Sequence, residues 1–235
     1  MKRFWKWIAA AAVVVIAAGG FGFWYFWLRD DAPPPAALPD RTQPSTQTST
    51  APANGDAPAA DGAWTVVPGD GVFVGYRVEE LFAGDTLQKT AVGRTPAVTG
   101  TVSVDGSQVT DGDFTADLTQ LESDQDRRDN YLHGNSLQTD EFPEATFTLT
   151  APIDLGTEPT VGEPVTVTAS GDLTLHGVTK AVELQLEARW NGDSIDVAGQ
   201  LPVLFADYDI EKPSVPTLTT EDNGILELVL TFQRG

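Results

Sequence analysis

The chain of 235 residues contains no cysteine. That absence excludes disulfides, thiolate nucleophiles, anchors built on an acylated cysteine and cysteine-based metal sites. Histidine is nearly absent too, with His133 and His176 alone. Two histidines without cysteine make a poor zinc set, and these two fall at a helix end and in a turn, where local hydrogen bonding is the stronger reading. Basic residues are scarce, 14 Lys and Arg against 34 Asp and Glu, for a net charge of −20. Such a surface repels phosphate backbones and argues against a nucleic-acid partner. No G-x-S-x-G elbow or Walker loop is present. The acidic pairs Asp111/Asp113 and Asp124/Asp126 lack a complete calcium-loop spacing and read as solvated surface. No catalytic residue, metal ligand or cofactor is therefore assigned, and no enzymatic activity is expected.

Long apolar runs are confined to one place. Trp7 to Leu28 is 22 residues without a charge, preceded by Lys2, Arg3 and Lys6 and followed by Arg29, Asp30 and Asp31. As a helix it would span about 33 Å, enough to cross a bilayer core. Aromatic residues crowd both ends, where they suit the membrane interface. The expectation is a single-pass anchor over residues 1–29 with its N-terminus cytoplasmic, carrying the rest outside the cytoplasmic membrane. Cleavage after the small residues Ala17 to Gly20 is the rival reading; it would expose the aromatic run Phe21 to Trp27. Residues 30–62 are rich in Pro, Ala, Thr and Asp, with Leu38 the only sizeable aliphatic, and read as a disordered linker.

From residue 63 to the end, apolar and polar residues alternate with period two. Val72, Val74, Tyr76 and Val78 share one face, as do Val98, Gly100, Val102 and Val104. Later stretches behave likewise: Phe114 to Leu118, Ala145 to Leu149, Val165 to Leu175, Val182 to Trp190, Ile195 to Val203 and Leu226 to Phe232. Glu183, Gln185, Glu187 and Arg189 fill the opposite face of one strand, so one side is wet and one buried. Asp105-Gly106, His176-Gly177 and Asn191-Gly192 mark tight turns. The fold class is all-β, about eight antiparallel strands closed into a barrel with room for side chains or one small ligand. One segment departs from the rhythm. Ser123 as cap, Asp126 three places on, the Asp124/Arg128 spacing and Gly134 as a left-handed terminus predict a short surface helix, lying as a lid over one mouth.

Arg128-Asp129-Asn130-Tyr131-Leu132, continued by Phe142-Pro143-Glu144-Ala145-Thr146-Phe147, resembles the first signature of the YceI-like family. Gly171-Asp172-Leu173-Thr174-Leu175-His176-Gly177-Val178-Thr179-Lys180 resembles the second, and Asp207-Tyr208-Asp209-Ile210 a third, weaker block. With Trp64 the resemblance covers the whole domain 63–235. The family often has His at the place of Tyr131 and Gly at that of Asp209. The resemblance implies an extended, lipocalin-like barrel, exported from the cytoplasm, that holds an isoprenoid chain of quinone or polyprenol type in an apolar tunnel.

Small residues on the inward phase, among them Gly100, Ala116, Ala145, Ala169, Gly171, Ala188 and Gly199, suggest a lumen the side chains do not fill. The candidate lipid-binding wall is Val74, Tyr76, Phe114, Phe147, Leu149, Leu173, Leu184, Leu186, Trp190, Val197, Leu228 and Leu230. Arg94 and Arg128 are the candidate headgroup contacts, with Arg128 and Asp129 read first as a structural pair. The strong acidity favours a neutral headgroup such as a quinone. A filled barrel serving as an envelope scaffold or protein-interaction module is the alternative, and a homodimer is compatible with either.

Overall fold

The computed structural model describes residues 32–40, 59–82, 88–215 and 218–235. The apolar run 7–28 lies outside the described residues. Among those described, no helix is long and apolar enough to cross a membrane.

Among the described residues fourteen strands follow in order: β1 (Gly62–Val66), β2 (Phe73–Phe82), β3 (Lys89–Thr95), β4 (Val98–Asp105), β5 (Gln108–Asp117), β6 (Glu122–Ser123), β7 (Glu144–Leu149), β8 (Ile153–Asp154), β9 (Pro164–Leu175), β10 (Val178–Trp190), β11 (Ser194–Leu204), β12 (Ser214–Val215), β13 (Leu218–Thr220) and β14 (Asn223–Arg234). Eight of them, β1-β4-β5-β7-β9-β10-β11-β14, form an antiparallel barrel closed by pairing of β14 with β1. Closure removes sheet edges that would otherwise invite further pairing. The barrel splits along β14. Residues 232–234 pair with β1, whereas residues 225–229 pair with β2, which carries β3 and β6 beside it.

Turn chemistry explains two of the hairpins. His176 (φ 50°) and Gly177 (φ 73°) form a two-residue loop between the facing pair Leu175 and Val178, the geometry whose twist matches the flanking strands. Gly106 (φ 56°) turns β4 into β5. The Asn191-Gly192 link is wider than a two-residue turn, because Trp190 faces Ile195 and only Gly192 has positive φ.

The helix α1 (Asp126–Tyr131) is where the spacing placed it, but its ends differ from expectation. Gln125, not Ser123, precedes it, without a side-chain cap. Ser123 belongs to β6, where its hydroxyl accepts from Gln125 N and its own N–H donates to the Asp129 carboxylate at 3.0 Å. The helix runs on into a wider turn over residues 132–136, so Gly134 does not terminate it in a left-handed conformation; Gln138 (φ 48°) takes that conformation instead. His133 fixes this stretch, bonding the Leu121 carbonyl and the Thr139 hydroxyl, each at 3.0 Å. Asp209, where the family often has glycine, sits at φ 53°, a conformation Asp tolerates better than most residues.

The predicted linker contains ordered chain at both of its described ends. Residues 32–40 lie as a strap on the outer wall, where Ala36 and Leu38 pack against Phe73, Ala198 and Val229. Residues 59–62 are tied to the base: Ala60 is buried, Trp64 Nε1 donates to its carbonyl at 2.8 Å, and Arg234 donates to the carbonyls of Ala59 and Asp61. Composition suggested disorder because the strap brings few apolar groups of its own. The wall supplies the missing partners.

Candidate functional site

The inward faces of the barrel enclose two adjoining apolar cavities. The lower, about 160 Å³, lies among β4, β5, β7, β9, β10, β11 and β14. The upper, about 120 Å³, lies between β2, the 205–213 segment and the helical stretch. They share Val74, Ala145 and Leu226 in their walls. An apolar cavity near 150 Å³ stays dry and takes a benzene-sized guest. The shared residues place the two side by side, both with nearly all-apolar walls.

Eleven of the twelve predicted wall residues line these cavities. Val74 borders both, and Tyr76 the upper one. Phe114, Phe147, Leu149, Leu173, Leu184 and Leu186 border the lower. Val197, Leu228 and Leu230 complete it. Trp190 does not border either cavity. It is buried one inward position beyond Ala188, its Nε1 donating to Gly192 O at 3.2 Å, and with Trp64 it fills the base.

The small inward residues do not simply leave space. An added Cβ on Gly100 would lie 2.4 Å from the Phe114 ring, on Gly171 2.3 Å from the Phe147 ring, and on Gly199 2.5 Å from a Leu186 methyl. Gly93 stands in the same relation to Tyr76, at 2.4 Å. Each glycine lets a neighbouring large side chain lie flat against the sheet. The rings are thereby held along the wall and off the axis, which keeps the lumen open.

Polar groups enter at the upper cavity. Arg128 and Glu80 both border it, paired at 3.2 Å, and Arg128 reaches Asp124 as well. Arg128 and Asp129 therefore take different partners instead of each other. The guanidinium is largely buried; desolvation opposes its charge, but Glu80 and the hydrogen bonds of Glu80 and Asp124 outweigh that and raise its pKa. The Tyr76 hydroxyl is buried and makes no well-formed hydrogen bond, the Ser123 side chain being close enough only for a weak interaction. Burial drives its pKa far above the ordinary tyrosine value, so it is held as a neutral donor. Leu132, Ser136 and Leu137 cover this cavity, with Leu118 and Leu121 beside them, the position expected of a lid.

Arg94 is elsewhere. Strand alternation puts it on the outer face of β3, stacked 3.9 Å from the Phe73 ring centre and donating to Pro34 O at 3.0 Å. It is not a headgroup contact at the mouth. His176 is likewise structural: its ring nitrogens lie 3.0 Å from the Tyr208 carbonyl and 3.3 Å from the Gln138 amide oxygen, with its ring against Phe142. Among the described residues no three His, Asp or Glu side chains converge as a metal site would require.

The element that sequence reasoning missed is on the outside. Glu227, 1% exposed, accepts from Arg77 Nε at 2.9 Å and from Ala36 N–H at 3.3 Å, with Arg94 3.6 Å from its other oxygen. Asp196, fully buried, accepts from Asn191 and Thr231 at 3.0 Å each. A signal was available: Ile225, Leu226, Leu228, Val229 and Leu230 are apolar on both phases around Glu227, which marks a wall covered on both faces.

Eight closed strands around an apolar, incompletely filled lumen define a cavity-bearing antiparallel barrel. A family model described as a YceI-like domain matches residues 64–232, and the chain belongs to that family. It is 31% identical over 127 residues to a UPF0312 protein of Vibrio campbellii, and equally to one of Vibrio parahaemolyticus. The match takes in 50% of this chain and 64% of each relative's length. Among solved structures, a polyisoprenoid binding domain from Saccharophagus degradans implicated in plant cell wall breakdown aligns with a TM-score of 0.57 at 20% identity, covering 73% of this chain and 98% of that one. BcnA of Burkholderia cenocepacia aligns with a TM-score of 0.50 at 16% identity, covering 66% and 95%.

Proposed function

We propose that the barrel binds and sequesters an isoprenoid lipid beside the outer face of the cytoplasmic membrane, as a carrier or reservoir without catalytic activity. The observation that carries this reading is the pair of adjoining apolar cavities. Burial of apolar chain is worth about 0.8 kcal/mol per CH₂, so a few isoprene units supply ample driving force. The likeness in fold to a polyisoprenoid binding domain points the same way. The apolar run 7–28 would anchor the chain and place the barrel near its lipid source.

The upper cavity favours a neutral headgroup. Arg128 is already matched by Glu80 and Asp124, leaving little positive charge for a pyrophosphate, whereas the Tyr76 hydroxyl offers one unused donor to a quinone carbonyl. A filled scaffold is the rival, and the open lumen speaks against it.

The test is solvent extraction and mass spectrometry of the full chain purified from membranes, beside Leu186→Trp. The bulkier residue should plug the lower cavity at a stability cost of about 1–3 kcal/mol and lower bound isoprenoid by on the order of tenfold, equivalent to about 1.4 kcal/mol. No isoprenoid in the wild-type extract, together with no saturable uptake of added quinone or polyprenol, would defeat the carrier reading.

A further inference from the structure

The strap 32–40 crosses the outer wall on a row of side-chain donors. Arg77 donates to Pro33 O at 2.7 Å, Arg94 to Pro34 O at 3.0 Å, Gln200 to Ala36 O at 3.3 Å and Arg189 to Pro39 O. Glu227 accepts from the backbone N–H of Ala36 between them. This pattern suits proline-rich chain, which has carbonyls to offer and few N–H groups. Leu38 and Ala36 supply the apolar contact on Phe73, Ala198 and Val229. A segment outside the barrel thus supplies acceptors to the wall's half-buried arginines and one donor to Glu227.

We propose that this strap is a latch that sets the length of the membrane tether, holding the β2–β3 wall, beside the upper cavity, close to the bilayer. The proposal rests on residues 7–28 being the anchor. Four peptide units separate Leu28 from Ala32, a reach of at most about 14 Å. With the strap released, the free chain from Leu28 to Gly62 would have a mean reach of roughly 30–35 Å. The latch therefore selects between a barrel pressed to the membrane and one ranging away from it.

The absence of cysteine makes the test clean. In the full chain reconstituted into phosphatidylcholine vesicles, Ala36→Cys with Ala198→Cys should be joined by a short bifunctional thiol reagent. Leu38→Asp, which leaves the barrel's own ion pairs untouched, should slow that cross-linking about tenfold. In a separate chain labelled at Lys89→Cys, energy transfer to an acceptor-labelled lipid should fall by about half when Leu38→Asp is added. Circular dichroism of the variant should match that of the parent. Absence of the cross-link, or unchanged energy transfer after release, would overturn the latch. Cross-linking in a chain that washes off the vesicles with carbonate would overturn the anchor and the latch's membrane role together. Cross-linking with a retained chain but no extractable isoprenoid would leave the latch standing and remove the lipid instead.

Discussion

The lumen and the wall beneath the strap are both buried, yet they are built on opposite terms. Inside, apolar side chains meet with room to spare, because glycines at positions 93, 100, 171 and 199 let rings and methyls lie against the sheet. Outside, Glu227 and Asp196 are as hidden as any core residue, and each carboxylate is held by a cation and by hydrogen bonds, even though Glu227 Oε2, Arg94 Nε and Arg189 Nε make no hydrogen bond of their own. An apolar surface tolerates a void at modest cost, whereas a buried carboxylate left alone costs several kcal/mol. Vacancy can therefore be kept in the lumen but not under the strap.

The largest test of this contrast is Arg77→Leu, which strips Glu227 of its closest cation. Urea unfolding should show a loss of about 3 kcal/mol, and adding Glu227→Leu should recover most of it, since an apolar pair replaces the ion pair. An unchanged midpoint in the single variant would mean that Glu227 is in contact with water. Next comes Gly171→Ala. The new methyl would meet the Phe147 ring at 2.3 Å and the Thr148 carbonyl at 2.6 Å, so about 1–3 kcal/mol should be lost by overpacking, with Phe147 pushed toward the axis. Thermal melting and uptake of a fluorescent apolar probe would both register it.

Tyr76→Phe should act in the other direction. Removing a buried hydroxyl that makes no well-formed hydrogen bond should stabilise the ligand-free protein by about 1 kcal/mol while weakening quinone uptake. It should also change the alkaline limb. Because the folded phenol is raised above its ordinary value of 10.0, its contribution is complete below pH 10 and is lost as pH rises past it, where only the unfolded chain ionises. Wild-type stability should fall above pH 10 more steeply than that of the variant in denaturant titrations. The smallest effect belongs to Asp124→Ala. That partner of Arg128 is exposed while Glu80 is not, so the change should cost no more than about 0.5 kcal/mol.

The barrel wall was legible in the sequence because a strand's two faces alternate without slippage: once Val74 or Leu228 is placed inward, its neighbours two apart follow. That rule put eleven of twelve wall residues on the cavities. It failed at Trp190, since phase says which way a side chain points and nothing about how far along the axis the open space extends. It failed at Arg94 because a basic residue was matched to a headgroup without asking which face position 94 occupies. The strap was hidden for another reason. Pro33, Pro34, Ala36 and Leu38 carry no period and little hydrophobicity, and their order comes from partners near residues 77, 94, 189, 200 and 227. Composition sees only the segment; docking depends on both surfaces.

The pairing of Trp64 with Arg234 has a temporal consequence. The seam of the cylinder joins nearly the first residue of the domain to nearly the last, so no partial chain can seal it. Such distant contacts make for slow maturation. Until the final strand has been made, β1 and β11 expose open edges that other chains can pair with. Truncation of a few C-terminal residues should thus promote self-association far more than its small loss of buried area would imply.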